Sequence, residues 1–531
     1  MKNLRFALLV FGILNACFGQ DVIESRRFKD YSMEDGPYPM VMFDYERATW
    51  AATHQVAARI SDKEFVYLYE PRFSNFRERK IRRFDLNLKV VWESEFRLDR
   101  EELIFHFFVA GDRIQVLSSQ YHFRASAWEI HHRSFSTENG ELLSESSLMV
   151  ISGGPRQPVG YSYSPDSSKI LLYYLDGKTR DNGRYTFNSG LPGLRVNRAD
   201  GLIFHIYDNQ MNLVDSSQMA LELERRDGAQ FLDATLDDAG NVYATMYEKD
   251  NSLRVVGWLR EQGRQLELTY NGFPEPWDGQ FPYMTYLPLK AGIPGRVHAA
   301  HALRERNRGR WETQAFKLVT FDFNEGKVLD EFEAPMNSSL LVEIGKARES
   351  INLKPEVVFD RYKIKDLLPM KNGKVWLLAQ KHEVSSQNRF SGGQIIGRDY
   401  QITEEELLLV GFEKSGKPEG AIIIPLRQRA IRERAAFSMQ HRYLVDPETQ
   451  EVLLLTWEAS GDRFRGQERL YHRRINLQEG SVSTRKQIWE GRRRDQYFIA
   501  PYMLWLNDET MVGLTIDGET NRYPVLISVK L

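Results

Sequence analysis

Short runs of β-branched, aromatic and leucine residues recur along this chain, each entered through a polar turn built on Asp, Asn or Gly. The clearest are residues 169–174 after Pro165-Asp166-Ser167-Ser168, 241–247 after Asp238-Ala239-Gly240, and 374–380 after Lys371-Asn372-Gly373. Residues 451–457 follow Asp446-Pro447-Glu448-Thr449, and 509–516 follow Asn507-Asp508, in the same manner. Runs of this length bounded by turn residues predict strands, and no stretch of 3.6-residue periodicity predicts a helix. In the unit 229–272 the expected strands are 229–236, 241–248, 252–260 and 265–270, joined by short polar turns. Comparable units begin near Thr49, Leu103, Val159, Tyr283, Arg361, Ala436 and Gln496, which makes eight.

Consecutive four-stranded antiparallel units of roughly 60 residues predict an all-β chain forming a single β-propeller. Eight blades are expected, or seven if the unit at Tyr283 is an irregular insertion. The last unit has room for three strands before Leu531, so a segment at 39–45 is expected to supply the fourth and close the ring. Connections from strand one to two and from three to four are tight, as at Asn139-Gly140, Glu325-Gly326, Asn372-Gly373 and Ser415-Gly416. The longer ones, 71–80, 177–200, 271–282, 304–310, 336–359, 382–401, 426–434 and 460–465, all emerge on the opposite face, where a rigid scaffold carries its function.

Composition changes this picture in two places. A chain of 531 residues ordinarily divides into several domains, but an even array of repeats closed into a ring is one. At the N-terminus, Lys2 and Arg5 precede the apolar stretch 6–14, which is too short to span a bilayer, and small residues follow. The expected organisation is an export signal at 1–19, an extension at 20–37 and the propeller at 38–531. Two processing sites compete: Leu14-Asn15-Ala16-Cys17 reads as a lipobox with a lipid anchor on Cys17, and Cys17-Phe18-Gly19 before Gln20 reads as an ordinary cleavage site. Cys17 is the single cysteine, so the mature domain has no disulfide, catalytic thiol or cysteine metal site. The net charge of −2 becomes more negative once the leader is removed, which argues against a nucleic-acid partner.

Candidate binding residues gather in the long connections. Arginines are frequent there, with Arg180 and Arg184, then Arg304, Arg306, Arg308 and Arg310, and then Arg463 and Arg465. Guanidinium groups pair bidentately with carboxylate, sulfate or phosphate, so these positions describe an anion-accepting face; the plainer reading is a set of solvated loop arginines neutralised by neighbours such as Glu305 and Asp462. The loop Asn271-Gly272-Phe273-Pro274-Glu275-Pro276-Trp277-Asp278-Gly279-Gln280-Phe281-Pro282-Tyr283 is stiffened by three prolines. Its Phe273, Trp277 and Tyr283, with Tyr185 from the 177–200 connection, offer flat faces for sugar rings or peptide side chains, unless they fold back on their own blade.

Catalytic motifs are missing. There is no Gly-x-Ser-x-Gly elbow, zinc-protease helix motif, phosphate-binding glycine loop, calcium loop or repeated Asp-box. His298 and His301, three apart on a strand, point to opposite faces, and His131-His132 does likewise, so no metal and no cofactor is expected.

Tyr163-Ser164-Pro165-Asp166-Ser167-Ser168-Lys169-Ile170-Leu171 resembles the Ser-Pro-Asp-Gly-Lys strand turn of TolB-like propellers. More of the chain resembles an uncharacterised family of exported bacterial propellers, through Asp366-Leu367-Leu368-Pro369, Gly373-Lys374-Val375-Trp376-Leu377-Leu378-Ala379-Gln380, Leu408-Leu409-Val410-Gly411-Phe412-Glu413-Lys414-Ser415-Gly416-Lys417, Ile424-Pro425-Leu426-Arg427-Gln428 and the final strands. That resemblance implies a propeller fold and an exported location, and carries no activity. The expected function is a non-enzymatic binding or scaffolding module at the cell envelope, holding a protein, a peptide or an acidic glycan. The alternative is a polysaccharide hydrolase or lyase with carboxylates at the central channel.

Overall fold

A computed structural model describes residues 22–27, 42–44, 49–51, 57–69, 78–99, 102–152, 159–179, 196–224, 230–248, 251–272, 290–307, 310–351, 362–391, 394–426, 428–431, 442–459, 468–490, 496–517 and 524–531. Its strands form eight antiparallel sheets in the order of an up-and-down propeller, and one separate hairpin. The first strands of blades 1 to 8 are Ala57–Ser61, Glu102–Ala110, Val159–Tyr163, Gln230–Leu236, Lys290–Ala291, Tyr362–Pro369, Arg442–Asp446 and Gln496–Asn507. They pack on one another around the axis, as Ala57–Ser61 does against both Gln496–Asn507 and Glu102–Ala110. The unit near Tyr283 is a true blade whose described part begins at Lys290, so the count is eight. Blade 4 has strands Gln230–Leu236, Val242–Tyr247, Ser252–Leu259 and Arg264–Asn271, within a residue or two of the expected bounds.

The apolar runs follow from burial on both faces. Each second strand lies between two neighbouring blades, so it cannot alternate apolar with polar; Val242–Tyr247 is buried at every position. In blade 1, Phe65 and Tyr67 face blade 8 while Val66 and Leu68 face blade 2. Eight apolar clusters fill the eight interfaces between blades, one each. Fourth strands lie at the periphery and do alternate, as Val90–Arg97 shows.

Turn chemistry ties the tight-turn face into a closed circuit of hydrogen bonds. Arg83 Nη1 donates to Thr137 O (2.8 Å), Gln210 Nε2 to Ala110 O (3.1 Å), and Asp166 N to Asp238 Oδ1 (2.9 Å). Gly295 N donates to Asp237 Oδ2 (2.9 Å), Arg296 Nη1 to Lys414 O (3.4 Å), and Lys371 N to Pro447 O (3.3 Å). Arg474 Nη2 donates to Asp508 O (3.0 Å), and Asn507 Nδ2 donates to Asp62 O (2.9 Å), joining blade 8 to blade 1. Gly140 shows why the turns are glycine-rich: its φ is +74°, and a Cβ there would lie 2.6 Å from the Trp92 ring of the neighbouring blade.

Three expectations are corrected. Ring closure is performed by Val22–Arg27, antiparallel to Pro524–Lys530, whereas Met42–Asp44 pairs with Thr49–Ala51 in the separate hairpin. An outermost strand has only one neighbour to satisfy, so Val-Ile-Glu-Ser-Arg-Arg suffices there despite its weak strand pattern. The connections 304–310 and 382–401 are ladders, Arg296–Asn307 with Arg310–Asp322 and Val375–Ser391 with Gln394–Phe412. The sequence of these extensions is mostly polar, which is why it predicts no strands there. The connection 336–359 contains an α-helix, Ser338–Glu349, whose N-terminus is capped when Asn337 Oδ1 accepts from Leu340 N (3.0 Å). It escaped detection because it buries little apolar surface; Arg348 docks it by ion pairs to Glu405 (2.6 Å) and Glu406 (2.9 Å).

Leu455, fully buried between blades 7 and 8, is expected to cost ~2–5 kcal/mol as Leu455→Ala in denaturant unfolding. Leu444, exposed on the first strand of blade 7, should cost under about 0.5 kcal/mol as Leu444→Ala.

Candidate functional site

First strands carry the polar groups nearest the axis, and β-bulges aim three of them. Pairing between first and second strands shifts between Ile104 and His106 in blade 2, Phe231 and Asp233 in blade 4, and Ile364 and Asp366 in blade 6. An extra residue re-aims the side chain that follows it. His106 thereby meets the Tyr163 hydroxyl of blade 3 and lies 4.6 Å from the Tyr161 ring, centroid to centroid. Asp233 Oδ1 accepts from Tyr173 Oη of blade 3 (2.6 Å). Asp366 accepts from Tyr443 of blade 7 and lies 3.3 Å from Lys290 Nζ of blade 5. Gly160 makes the Tyr173 link possible, since a Cβ there would come within 2.1 Å of the Tyr173 ring. The result is a polar girdle from blade 2 to blade 7, made of hydrogen bonds and ion pairs at each step except that between Asp233 and Lys290, which act on each other electrostatically.

Burial sets the electrostatics. It pushes the Asp233 carboxyl up to about 6, against the opposing pull of Tyr173, the Ala234 N–H and Lys290. Lys290 is held above its ordinary value chiefly by Asp366. Tyr173 is raised well above the usual phenol range by burial and by Asp233.

Nearer the loop-bearing end of blade 6 stands a different arrangement. Burial lowers the Lys363 ammonium to about 8, and Lys365, two residues on, adds repulsion. Lys365 Nζ donates to Glu404, whose charge also favours the charged form of Lys363. No ion pair within 4.0 Å reaches Lys363 among the described residues.

Of the residues expected from sequence, Arg304 is half-buried and committed, with Nη2 donating to Tyr362 O (2.8 Å). Arg306 and Arg310 occupy ladder positions opposite Trp311 and Asn307, not a loop. Arg180, Arg184, Tyr185, Phe273, Trp277, Tyr283, Arg308, Arg463 and Arg465 lie outside the described residues. The histidine pairs do separate: His298 Nδ1 bonds Thr320 Oγ1 (2.9 Å), His301 faces Tyr270 Oη (3.3 Å), and His132 Nε2 bonds Gln115 Oε1 (2.7 Å). Burial lowers these three to about 3, 4 and 4. His131 departs from expectation, because Glu129 and His122 stand beside it. Sequence reasoning passed over the girdle because a bulge leaves no mark in composition; its one trace is an apolar residue two positions before His106, Asp233 and Asp366.

No protein-family model matches this chain, and no curated protein matches it. Among solved structures, the polysaccharide lyase Uly1 is similar over 80% of this chain and 89% of its own, at 13% identity and a TM-score of 0.36. The β-propeller domain of the Trilobed protease from Pyrococcus furiosus is similar over 81% of this chain and 94% of its own, at 8% identity and a TM-score of 0.35. Prolyl oligopeptidase B from Galerina marginata is similar over 88% of this chain but 56% of its own, at 10% identity and a TM-score of 0.37. The chain is a β-propeller. These likenesses concern that fold alone.

A carboxyl raised from 3.8 to about 6 contributes stability that is fully present below pH 4 and lost as the pH rises through 6. Asp233→Asn keeps an acceptor for Tyr173 without titrating. The thermal midpoint of Asp233→Asn relative to the native chain should therefore climb between pH 4 and 7, and a constant difference would remove the buried-carboxyl assignment.

Proposed function

We propose that this protein is an exported, non-enzymatic binding or scaffolding propeller of the cell envelope, taking an acidic group of a protein, peptide or glycan at its loop-bearing face. Lys363 carries the reading. A half-buried lysine whose charge burial opposes, with Lys365 two residues on and the nearby Glu404 already ion-paired to Lys365, is an incompletely neutralised cation site. The arginines of the long connections would extend it outwards. The girdle supports binding over catalysis, because Asp233 and Asp366 are engaged by tyrosines and Lys290 of neighbouring blades and serve as links between them. Export rests on the leader at 1–19, with or without a lipid anchor at Cys17. No helix among the described residues is long and apolar enough to cross a membrane.

The enzyme reading keeps one specific observation, an Asp233 carboxyl near 6, within the range of a general acid or base. Incubation with a polyuronate chain distinguishes the two. The binding reading expects no new reducing ends or unsaturated products, whereas products that vanish in Asp233→Asn would establish a hydrolase or lyase.

Lys363→Gln tests the site directly. A folded value lowered from 10.5 to about 8 means stability present above 10.5 and lost as pH falls through 8, so the substitution should raise the thermal midpoint at pH 7. Calorimetric titration with polyglutamate and with polygalacturonate should show salt-sensitive binding, weakened about tenfold by Lys363→Gln, as loss of one charge-assisted contact implies. Unchanged affinity for both would overturn the cation site.

A further inference from the structure

On the face of blade 2 turned towards blade 1, His122, Glu129 and His131 converge at the end of the hairpin Arg113–His122 and Ala127–Ser136. Residues two apart on a strand share a face, which places Glu129 and His131 together. Register sets Gln120 opposite Glu129 and Ala127 opposite His122, so His122 reaches Glu129 on the diagonal. His122 Nε2 lies 2.8 Å from Glu129 Oε2, His131 Nε2 lies 3.8 Å from the same oxygen, and all three donor atoms fall within 4.8 Å of one another. Donors of a tetrahedral site with metal bonds of about 2.0–2.2 Å stand about 3.3–3.6 Å apart, inside that spread.

Two further observations point to a ligand. His131 Nε2 is shielded from solvent yet has no hydrogen-bond partner. A ring nitrogen shielded from water and left without a partner is costly, and in its unprotonated form it would be satisfied by a metal ion. Glu129 also takes a hydrogen bond from the Ser147 side chain of the adjacent strand. An outer partner such as Ser147 is what orients a metal-binding carboxylate.

We propose that His122, Glu129 and His131 bind one divalent transition metal of the Zn²⁺ class. Two imidazoles and one carboxylate suit Zn²⁺, Ni²⁺ or Cu²⁺ over Mg²⁺ or Ca²⁺, which favour oxygen donors. Three protein ligands leave a fourth position for water or for a donor group of a bound partner. It lies at a two-to-three connection, on the same side as the long loops, so the metal would be a second contact point on that face, independent of Lys363.

The test uses the full chain without a histidine tag, stripped with EDTA and titrated with Zn²⁺ against a chromophoric chelator. One equivalent should bind, Mg²⁺ should not compete, and Zn²⁺ should raise the thermal midpoint. Glu129→Gln, which preserves size, and His131→Asn should each weaken binding beyond the ~10–100-fold that loss of an outer partner costs, and should abolish the Zn²⁺-dependent shift. Cys17→Ala should change neither. Circular dichroism in EDTA checks that each variant is folded, and Glu129→Gln decides the question if His131→Asn is not. Absence of a stoichiometric Zn²⁺ equivalent, or one untouched by Glu129→Gln, overturns the site.

Discussion

Every blade of this protein has two apolar faces and is stable only between two others. The second strand of blade 4, buried at all six positions from Val242 to Tyr247, would expose half its side chains if either neighbour were missing. Eight such sheets satisfy one another only by closing, which is why Val22–Arg27, at the far end of the chain, completes the sheet begun by Gln496–Asn507. Closure also pairs the outward edge of Pro524–Lys530, leaving the eighth sheet the same four-stranded form with a peripheral edge as the others. The turn-to-turn circuit repeats the same closure in hydrogen bonds, from Arg83 and Thr137 round to Asn507 and Asp62.

Closure gives the molecule two unlike faces. One is tied together by short hydrogen-bonded turns, while the other carries the longer connections and ladders. Charges buried between these faces are spent mostly on internal order. Glu102 of blade 2 is enclosed by Arg133 (2.5 Å), Ser118 and the Asp99 N–H, and Arg473 of blade 7 reaches Glu458 (3.2 Å) and Thr456 (2.7 Å). Such pairs add little net stability against an apolar core of the same shape, but they leave an uncompensated charge if the strands slip, and so they penalise wrong register.

Against that background the unspent groups stand out physically. Lys363 has no ion pair within 4.0 Å among the described residues, and His131 Nε2 has no hydrogen-bond partner. The girdle residues Asp233, Lys290 and Asp366 already have partners across blade boundaries.

Much of the fold was legible from the chain alone. A polar Asp, Asn or Gly turn followed by an unbroken apolar run is what a doubly buried strand requires, so the blade count, the strands of blade 4 and the glycine turns followed from local chemistry. What remained hidden depended on contacts between distant residues. The helix Ser338–Glu349 is docked by Arg348 to glutamates some 57 positions later, and the closing strand is recognised by its partner at 524–530. The outer part of the ladder between Val375–Ser391 and Gln394–Phe412, from His382 to Thr403, is mostly polar in sequence and has no strand pattern to read. The site chemistry was the least legible part. Bulges aim His106, Asp233 and Asp366, and His122 joins Glu129 and His131 through cross-strand register. Composition therefore determined that the chain makes strands and turns, because those preferences are local; only the closed ring decided which side chains meet, because proximity between strands is set by register and by the packing of one blade on the next.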